Sequence, residues 1–197
     1  KLIFKDTDMK KNVKKLFKKM GSLEIKNVIS EIIDDKNILS MRDVEAYGGY
    51  SPYHITENNG FLGSHVDHSS IKEGKFCHIA NTIFYASNKW EKDWGGNTIL
   101  FSRNGFSQEV EIEPIPNRLI FFIHTANSFH GVSRYYSDSK IQRRTFYHDY
   151  YVSREEIKET MRKVNLHTKR KLIHSTHGTT FVPFLPFGVK DIKLNKL

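Results

Sequence analysis

The sequence predicts a mainly β chain, a sandwich or jelly roll, with helices flanking it. Three observations carry this. Aromatic residues make up 13% of the 197 residues, with 14 Phe and 9 Tyr, which suits a packed β-rich core and not a disordered chain. From about residue 44, short aromatic and β-branched runs alternate with clusters of Gly, Pro, Asn and Asp, the texture of strands and turns. About eight such runs follow one another without interposed helical patterns, which argues against an alternating α/β sheet.

The elements follow in order. Residues 9–20 place Val13, Leu16, Phe17 and Met20 at helical spacing, and residues 23–35 continue with Val28, Ile29, Ile32 and Ile33. Two amphipathic helices are therefore expected. The predicted strands are Val44–Tyr47, Ile55–Thr56, Phe61–Val66, Cys77–Ala86, Asn97–Ser102, Val110–Ile112, Arg118–His124, Phe129–Tyr135 and Arg143–Val152. Breaks such as Asn58-Asn59-Gly60, Gly95-Gly96 and Asn104-Gly105 separate them. Ser153–Glu156, S-R-E-E, is a capping box expected to open a helix through about Val164. Beyond it, Pro183 and Pro186 mark an irregular end with one closing strand around Thr179–Val182. No repeat or low-complexity linker appears, so one domain is expected over 1–197. It comprises N-terminal helices in 1–43, a core in 44–152, and a C-terminal helix and tail in 153–197.

The formal net charge of +9 sits at the ends: +6 over residues 1–20, +7 over 162–197 and −4 between them. Aromatic interleaving is sparse in the basic ends, so they read as solvated helix faces and tails, and a nucleic-acid partner is not expected. The single cysteine, Cys77, excludes an internal disulfide and fits a reducing compartment. No apolar run reaches about 18 residues, and K-L-I-F-K-D-T-D-M-K-K lacks a secretory h-region, so a cytoplasmic location without a membrane partner is expected. Nothing in the sequence indicates an oligomeric state.

Ten histidines are present, so a histidine pair alone says little. His65 and Asp67 stand out because G-S-H-V-D-H-S lies on a strand pattern, where residues two apart share a face. A third ligand must come from another strand, and His130 in S-F-H-G-V lies 63 positions beyond Asp67. Two imidazoles and one carboxylate leave three coordination positions open, the arrangement of Fe(II) oxygenases. A structural zinc site would fill four positions, usually with Cys. An anionic co-substrate needs an anchor, and Gln142-Arg143-Arg144-Thr145 opens the next aromatic strand. A guanidinium forks onto a carboxylate. Arg143 and Thr145 share one strand face and are suited to the far carboxylate of 2-oxoglutarate; Arg144 faces the other way, and a one-residue register change would exchange the two arginines.

The order H-x-D, an aromatic strand with Tyr and Trp, G-G, S-F-H-G-V and R-R-T, over roughly residues 44–152, resembles the prolyl-hydroxylase-like branch of the 2-oxoglutarate/Fe(II) dioxygenases. The resemblance implies a double-stranded β-helix (a cupin-like jelly roll) flanked by helices. It implies that His65, Asp67 and His130 bind Fe(II) and that Arg143 binds 2-oxoglutarate. Tyr85, in I-F-Y-A-S-N-K-W, matches a family position whose tyrosine can hydrogen-bond the co-substrate. Fe(II), 2-oxoglutarate and O2 are the implied cofactors, with ascorbate in support. Collagen-type prolyl hydroxylases anchor with Lys, so an arginine looks more like the oxygen-sensing and bacterial relatives. Related halogenases replace the carboxylate ligand by a small residue, so Asp67 points to hydroxylation. The implied reaction hydroxylates an unactivated C–H bond of a peptidyl proline or a small metabolite, releasing succinate and CO2.

Other readings stand beside this one. A cupin-like binding protein would need neither Arg143 nor an open metal position. A nucleic-acid demethylase of the same superfamily would place two arginines several residues apart, whereas here they are adjacent. A metal-dependent hydrolase would be indifferent to 2-oxoglutarate. His68, His78, His124 and His148 read as surface or outer groups, with His124 able to approach the metal if its loop folds back. Trp90 and Trp94 read as packing, and Asn81 as a hydrogen-bonding residue inside the barrel. Loops 68–75, 86–96 and 135–141 are expected to decide the substrate.

Overall fold

The computed structural model describes residues 2–5, 10–46, 50–137, 141–175 and 177–182. In chain order the elements are β1 (Leu2–Lys5), α1 (Lys11–Met20), α2 (Leu23–Ile33), β2 (Leu39–Ser40), β3 (Tyr50–Thr56), β4 (Leu62–Val66), β5 (Ser70–Ile71) and β6 (Phe76–Tyr85). They continue with β7 (Thr98–Phe101), β8 (Gln108–Ile112), β9 (Leu119–Ile123), β10 (His130–Val132), β11 (Arg143–Ser153), α3 (Ile157–Thr168) and β12 (Thr180–Phe181). A short 3-10 turn covers Lys92–Trp94.

Two antiparallel sheets result, the jelly-roll arrangement expected from the strand pattern. One runs β1-β3-β11-β6-β5, with β2 on β11 and β9 on β6; the other runs β12-β4-β10-β7-β8. Strand β11 is central, paired with β3 on one side and β6 on the other. Its alternation decides the architecture. Arg143, Thr145, Tyr147 and Asp149 face a cavity between the sheets, while Phe146 and Tyr150 turn outward into two apolar clusters. Ile29 and Ile33 of α2 and Met161 and Val164 of α3 join one cluster, and Phe17 and Met20 of α1 join the other. The helices therefore cover the outer face of the larger sheet, leaving its inner face for the cavity. Among the described residues, no helix is long and apolar enough to cross a membrane.

Several local expectations are corrected. Val44–Ala46 is turn, not strand: Ala46 N–H donates to Met41 O, Asp43 Oδ2 accepts from the Ser40 backbone N–H, and Glu45 has φ 50°. Val44 is apolar because it plugs the α1 cluster; Tyr47 lies outside the described residues. On α2 the buried line is Ile29 and Ile33, whereas Val28 and Ile32 are exposed. The S-R-E-E box closes a turn: Ser153 Oγ donates to Glu156 Oε2 at 2.7 Å, and the helix starts one residue later, at Ile157. The short strands β1, β2 and β5 carry too few residues to show a period. The closing strand is β12 on β4; Pro183 and Pro186 lie outside the described residues.

Candidate metal site and adjoining cavity

His65 ends up beside His130 because β4 and β10 pair antiparallel with these two residues directly opposite each other. Asp67 follows two residues after His65, just past the end of β4. The three offer ligand atoms that all lie within 4.8 Å of one another. His65 Nε2 is 3.5 Å from Asp67 Oδ1, and His130 Nε2 is 3.4 Å from Asp67 Oδ2. Each imidazole is oriented from behind: His65 Nδ1–H donates to Gly63 O (2.8 Å) and His130 Nδ1–H to Ser128 O (3.0 Å). Those bonds turn both Nε2 atoms toward Asp67, where each donates to the carboxylate when protonated and offers a lone pair to a metal when neutral. Burial alone would raise the Asp67 carboxyl, but His130 and His65 hold it well below the ordinary carboxylate range. The donor set fits a divalent iron with open positions.

Asn81 performs the hydrogen-bonding task its sequence position suggested. Its Nδ2 donates to Asp67 Oδ2 at 2.9 Å, and its Oδ1 accepts from His78 Nε2 at 3.1 Å. A second trio, His68, His78 and Asp149, also brings ligand atoms within 4.8 Å. It makes a poor metal site. Backbone and amide oxygens crowd both His78 nitrogens: His68 O at Nδ1 (3.0 Å), Ala80 O and Asn81 Oδ1 at Nε2 (both 3.1 Å).

The cavity holds about 240 Å³ and reaches from this trio to Arg143, between β3, β6 and β11 on one side and β4, β7 and β10 on the other. Arg143 and Thr145 are both buried and line it, while Arg144 is half-buried and does not. Arg143 Nε donates to Gly96 O at 2.5 Å and Nη2 to Thr98 Oγ1 at 3.3 Å. Gly96 has φ 70°, and a Cβ there would stand 2.9 Å from Arg143 Cδ, so the second glycine of G-G makes room for the guanidinium. Burial lowers the Arg143 pKa to about 10, against the pull of Tyr85 and Tyr135 nearby, so it stays cationic at neutral pH. Among the described residues no carboxylate forms an ion pair with it.

Tyr85 sits one layer back from the cavity. The Arg143 guanidinium lies 5.5 Å from its ring centroid, and its hydroxyl donates to Thr98 Oγ1 at 2.7 Å. Thr98 lines the cavity and Tyr85 does not. Thr98, Tyr147, Asp149 and His54 are cavity residues that sequence reasoning missed; for Tyr147 and Asp149 the signal was present, since they continue the Arg143–Thr145 face. The cavity wall draws on His54, Thr56, Phe61 and Leu62, and none of loop 86–96 reaches it. Trp90 Nε1 donates to Gly95 O and Trp94 packs edge-on against Tyr135. Within loop 135–141, residues 138–140 lie outside the described residues. The outer histidines are not surface groups. His78, His124 and His148 are fully buried, and His124 stacks on His78 at 4.3 Å and not on the His65, Asp67 and His130 group.

Residues 49–148 match the family model described as the 2OG-Fe(II) oxygenase superfamily. Among curated proteins, none matches the chain. Similar solved structures include a Pseudomonas putida prolyl-4-hydroxylase, at 14% identity and TM-score 0.37, covering 51% of this chain and 49% of that one. Another is the viral collagen prolyl hydroxylase of Paramecium Bursaria Chlorella virus-1 in its 2OG complex, at 16% identity and TM-score 0.39, covering 51% and 56%. A third is a Trichoplax adhaerens prolyl hydroxylase with a hypoxia inducible factor oxygen degradation domain peptide fragment, at 19% identity and TM-score 0.37, covering 58% and 44%. The chain spans about half the length of these structures.

Proposed function

The chain belongs to the 2OG-Fe(II) oxygenase superfamily, and on that premise we propose that it hydroxylates a C–H bond of a small molecule or a peptide side chain. In this reading His65, Asp67 and His130 hold Fe(II), and Arg143 with Thr145 holds the far carboxylate of 2-oxoglutarate. The observation that carries the reading is the buried Arg143. A guanidinium with no carboxylate partner among the described residues, held at a cavity wall by Gly96 O and Thr98 Oγ1, awaits an anionic ligand, because burying an unpaired charge is costly. Tyr85 acts through Thr98, whose hydroxyl it holds.

Fe(II), 2-oxoglutarate and O2 together supply the oxidising power, and the overall reaction yields succinate, CO2 and a hydroxylated product. The protein's share is placement. Gly63 O and Ser128 O orient the two imidazoles, Asn81 holds one oxygen of Asp67, and the apolar side chains Phe61, Leu62, Ile83 and Val132 line the cavity and limit water. A proline in a peptide is one substrate this reading admits; a small metabolite is another.

The test is succinate formation from 2-oxoglutarate with Fe(II) and ascorbate, in the wild type and in His130→Ala, across a peptide and metabolite panel. Turnover by the wild type alone supports the reading. Silence from both, with no Fe(II)-dependent binding of 2-oxoglutarate by calorimetry, would favour a cupin-like binding protein instead.

A further inference from the structure

We infer that the Asp149 end of the cavity receives the positively charged nitrogen of the substrate, which makes the substrate an amine. This rests on the oxygenase reading above and deepens it. The cavity face of β11 runs Arg143, Thr145, Tyr147, Asp149, so one wall is cationic at one end and anionic at the other, roughly 20 Å apart along an extended strand. The dicarboxylate co-substrate takes the cationic end. Asp149 pairs across the strands with Asn81, which holds Asp67, so the anionic end adjoins the metal ligands, where a substrate must reach.

Asp149 is buried yet short of donors. Its Oδ2 accepts one long hydrogen bond, from the Tyr151 hydroxyl at 3.4 Å. Its Oδ1 is 3.8 Å from His78 Nε2, beyond hydrogen-bond reach, and that nitrogen is engaged by Ala80 O and Asn81 Oδ1. His68 Nε2 lies 3.1 Å from the same Tyr151 hydroxyl and is itself a cavity residue. Among the described residues no Lys or Arg pairs with Asp149. Burial and the neighbouring Asp67 push its pKa up to about 7, so the protein alone leaves this carboxyl near half ionised, and a bound ammonium would favour its anionic form.

A charge count points the same way. Fe(II), Asp67, dianionic 2-oxoglutarate and Arg143 together sum to zero, so Asp149 is the charge left unbalanced. An anionic substrate would be repelled, a neutral one would gain a single hydrogen bond, and an ammonium would gain both hydrogen bond and counter-charge. The cavity of about 240 Å³ is below the usual range of ligand pockets. With co-substrate in place it admits a head group or one side chain, not a bulky ring system. A free alkylamine and a lysine-type side chain share this chemistry.

The test is equilibrium titration, without O2, of the full chain loaded with Fe(II) and 2-oxoglutarate. The probes are butylammonium, 1-butanol and butyrate, with an acetylated and amidated Gly-Lys-Gly peptide beside them. Butylammonium should bind at least about tenfold tighter than 1-butanol, the worth of one charged hydrogen bond, with butyrate weakest. Asp149→Asn should bring the amine and the alcohol to within about twofold of each other. Tighter binding of the peptide than of butylammonium places the amine on a polypeptide, and weaker binding places it on a small molecule. No difference among the three simple probes in the wild type, including no binding by any, overturns the inference. So does a charge preference that survives in a folded Asp149→Asn protein. If that variant does not fold, the wild-type ranking decides alone. Failure of 2-oxoglutarate itself to bind would sink the oxygenase reading, whereas a loaded protein indifferent to probe charge sinks only this inference.

Discussion

Asn81 Nδ2 donates to Asp67 Oδ2 at 2.9 Å, and the same amide accepts at Oδ1 from His78 Nε2 at 3.1 Å. The amide is thus held at both ends, and it leaves the other Asp67 oxygen, Oδ1, on the His65 side of the trio. Outer partners of this kind typically set about 10- to 100-fold in metal affinity. Asn81→Ala should weaken Fe(II) binding by an amount in that range while circular dichroism stays unchanged. Anaerobic calorimetry with Fe(II) reads it directly; an unchanged affinity would show that Asp67 needs no tether.

The two adjacent arginines should separate cleanly. Arg143→Met should raise the KM for 2-oxoglutarate by about two orders of magnitude, because a forked, charged pair of hydrogen bonds is lost. Arg143→Lys should cost about tenfold, since an ammonium replaces the fork with a point charge. Arg144→Met should stay within about twofold, as that side chain lies off the cavity and reaches toward Gln142 Oε1. Steady-state assays of succinate release decide it, and a larger effect at Arg144 would reverse the register argument.

Which of those arginines faces the cavity was legible in the sequence for the same reason that the shared side of His65 and Asp67 was: strand side chains alternate, so a two-residue spacing names a face. Long strands such as β6 and β11 were legible for their aromatic and β-branched content. What could not be read was long-range. Thr98 comes between Tyr85 and the cavity because β7 and β6 belong to different sheets that face each other, and no local pattern encodes that pairing. The burial of His78, His124 and His148 was likewise hidden, because a histidine's polarity argues for the surface until its distant neighbours are in place: Tyr151 and His124 stack on His78, and Phe17 of α1 packs on His148.

His148 lies fully buried against Phe17 and Tyr150, with neither ring nitrogen hydrogen-bonded among the described residues. Burial lowers its pKa from 6.5 to about 3, helped by Arg42. The folded value lies below the unfolded one, so between pH 6.5 and about 3 the unfolded state binds more protons. Stability is therefore full above pH 6.5 and falls as the pH drops through that window, by up to about 1.4 kcal/mol per unit from this group. His148→Phe should flatten the dependence by that amount between pH 6.5 and 5. Urea denaturation at pH 7, 6 and 5 checks it; equal slopes in wild type and variant would mean that His148 titrates in the fold as it does in the unfolded chain.

Gly131 shows how closely the two strands bearing the imidazoles approach. A Cβ there would stand 2.6 Å from Leu62 O and 3.1 Å from Gly63 O, and Gly63 O is the acceptor that orients His65. Gly131 also follows His130 directly on β10. Gly131→Ala must push β4 and β10 apart, costing about 1–3 kcal/mol of stability, as overpacking does. It should also lower Fe(II) affinity at least about tenfold, because both imidazoles move. Gly63→Ala meets nothing within 4 Å, so its stability should stay within about 0.5 kcal/mol of wild type. Paired thermal melts and metal titrations of the two variants separate a steric cause from the loss of any glycine. If Gly131→Ala binds Fe(II) as tightly as wild type, the spacing of β4 and β10 does not set the spacing of the imidazoles.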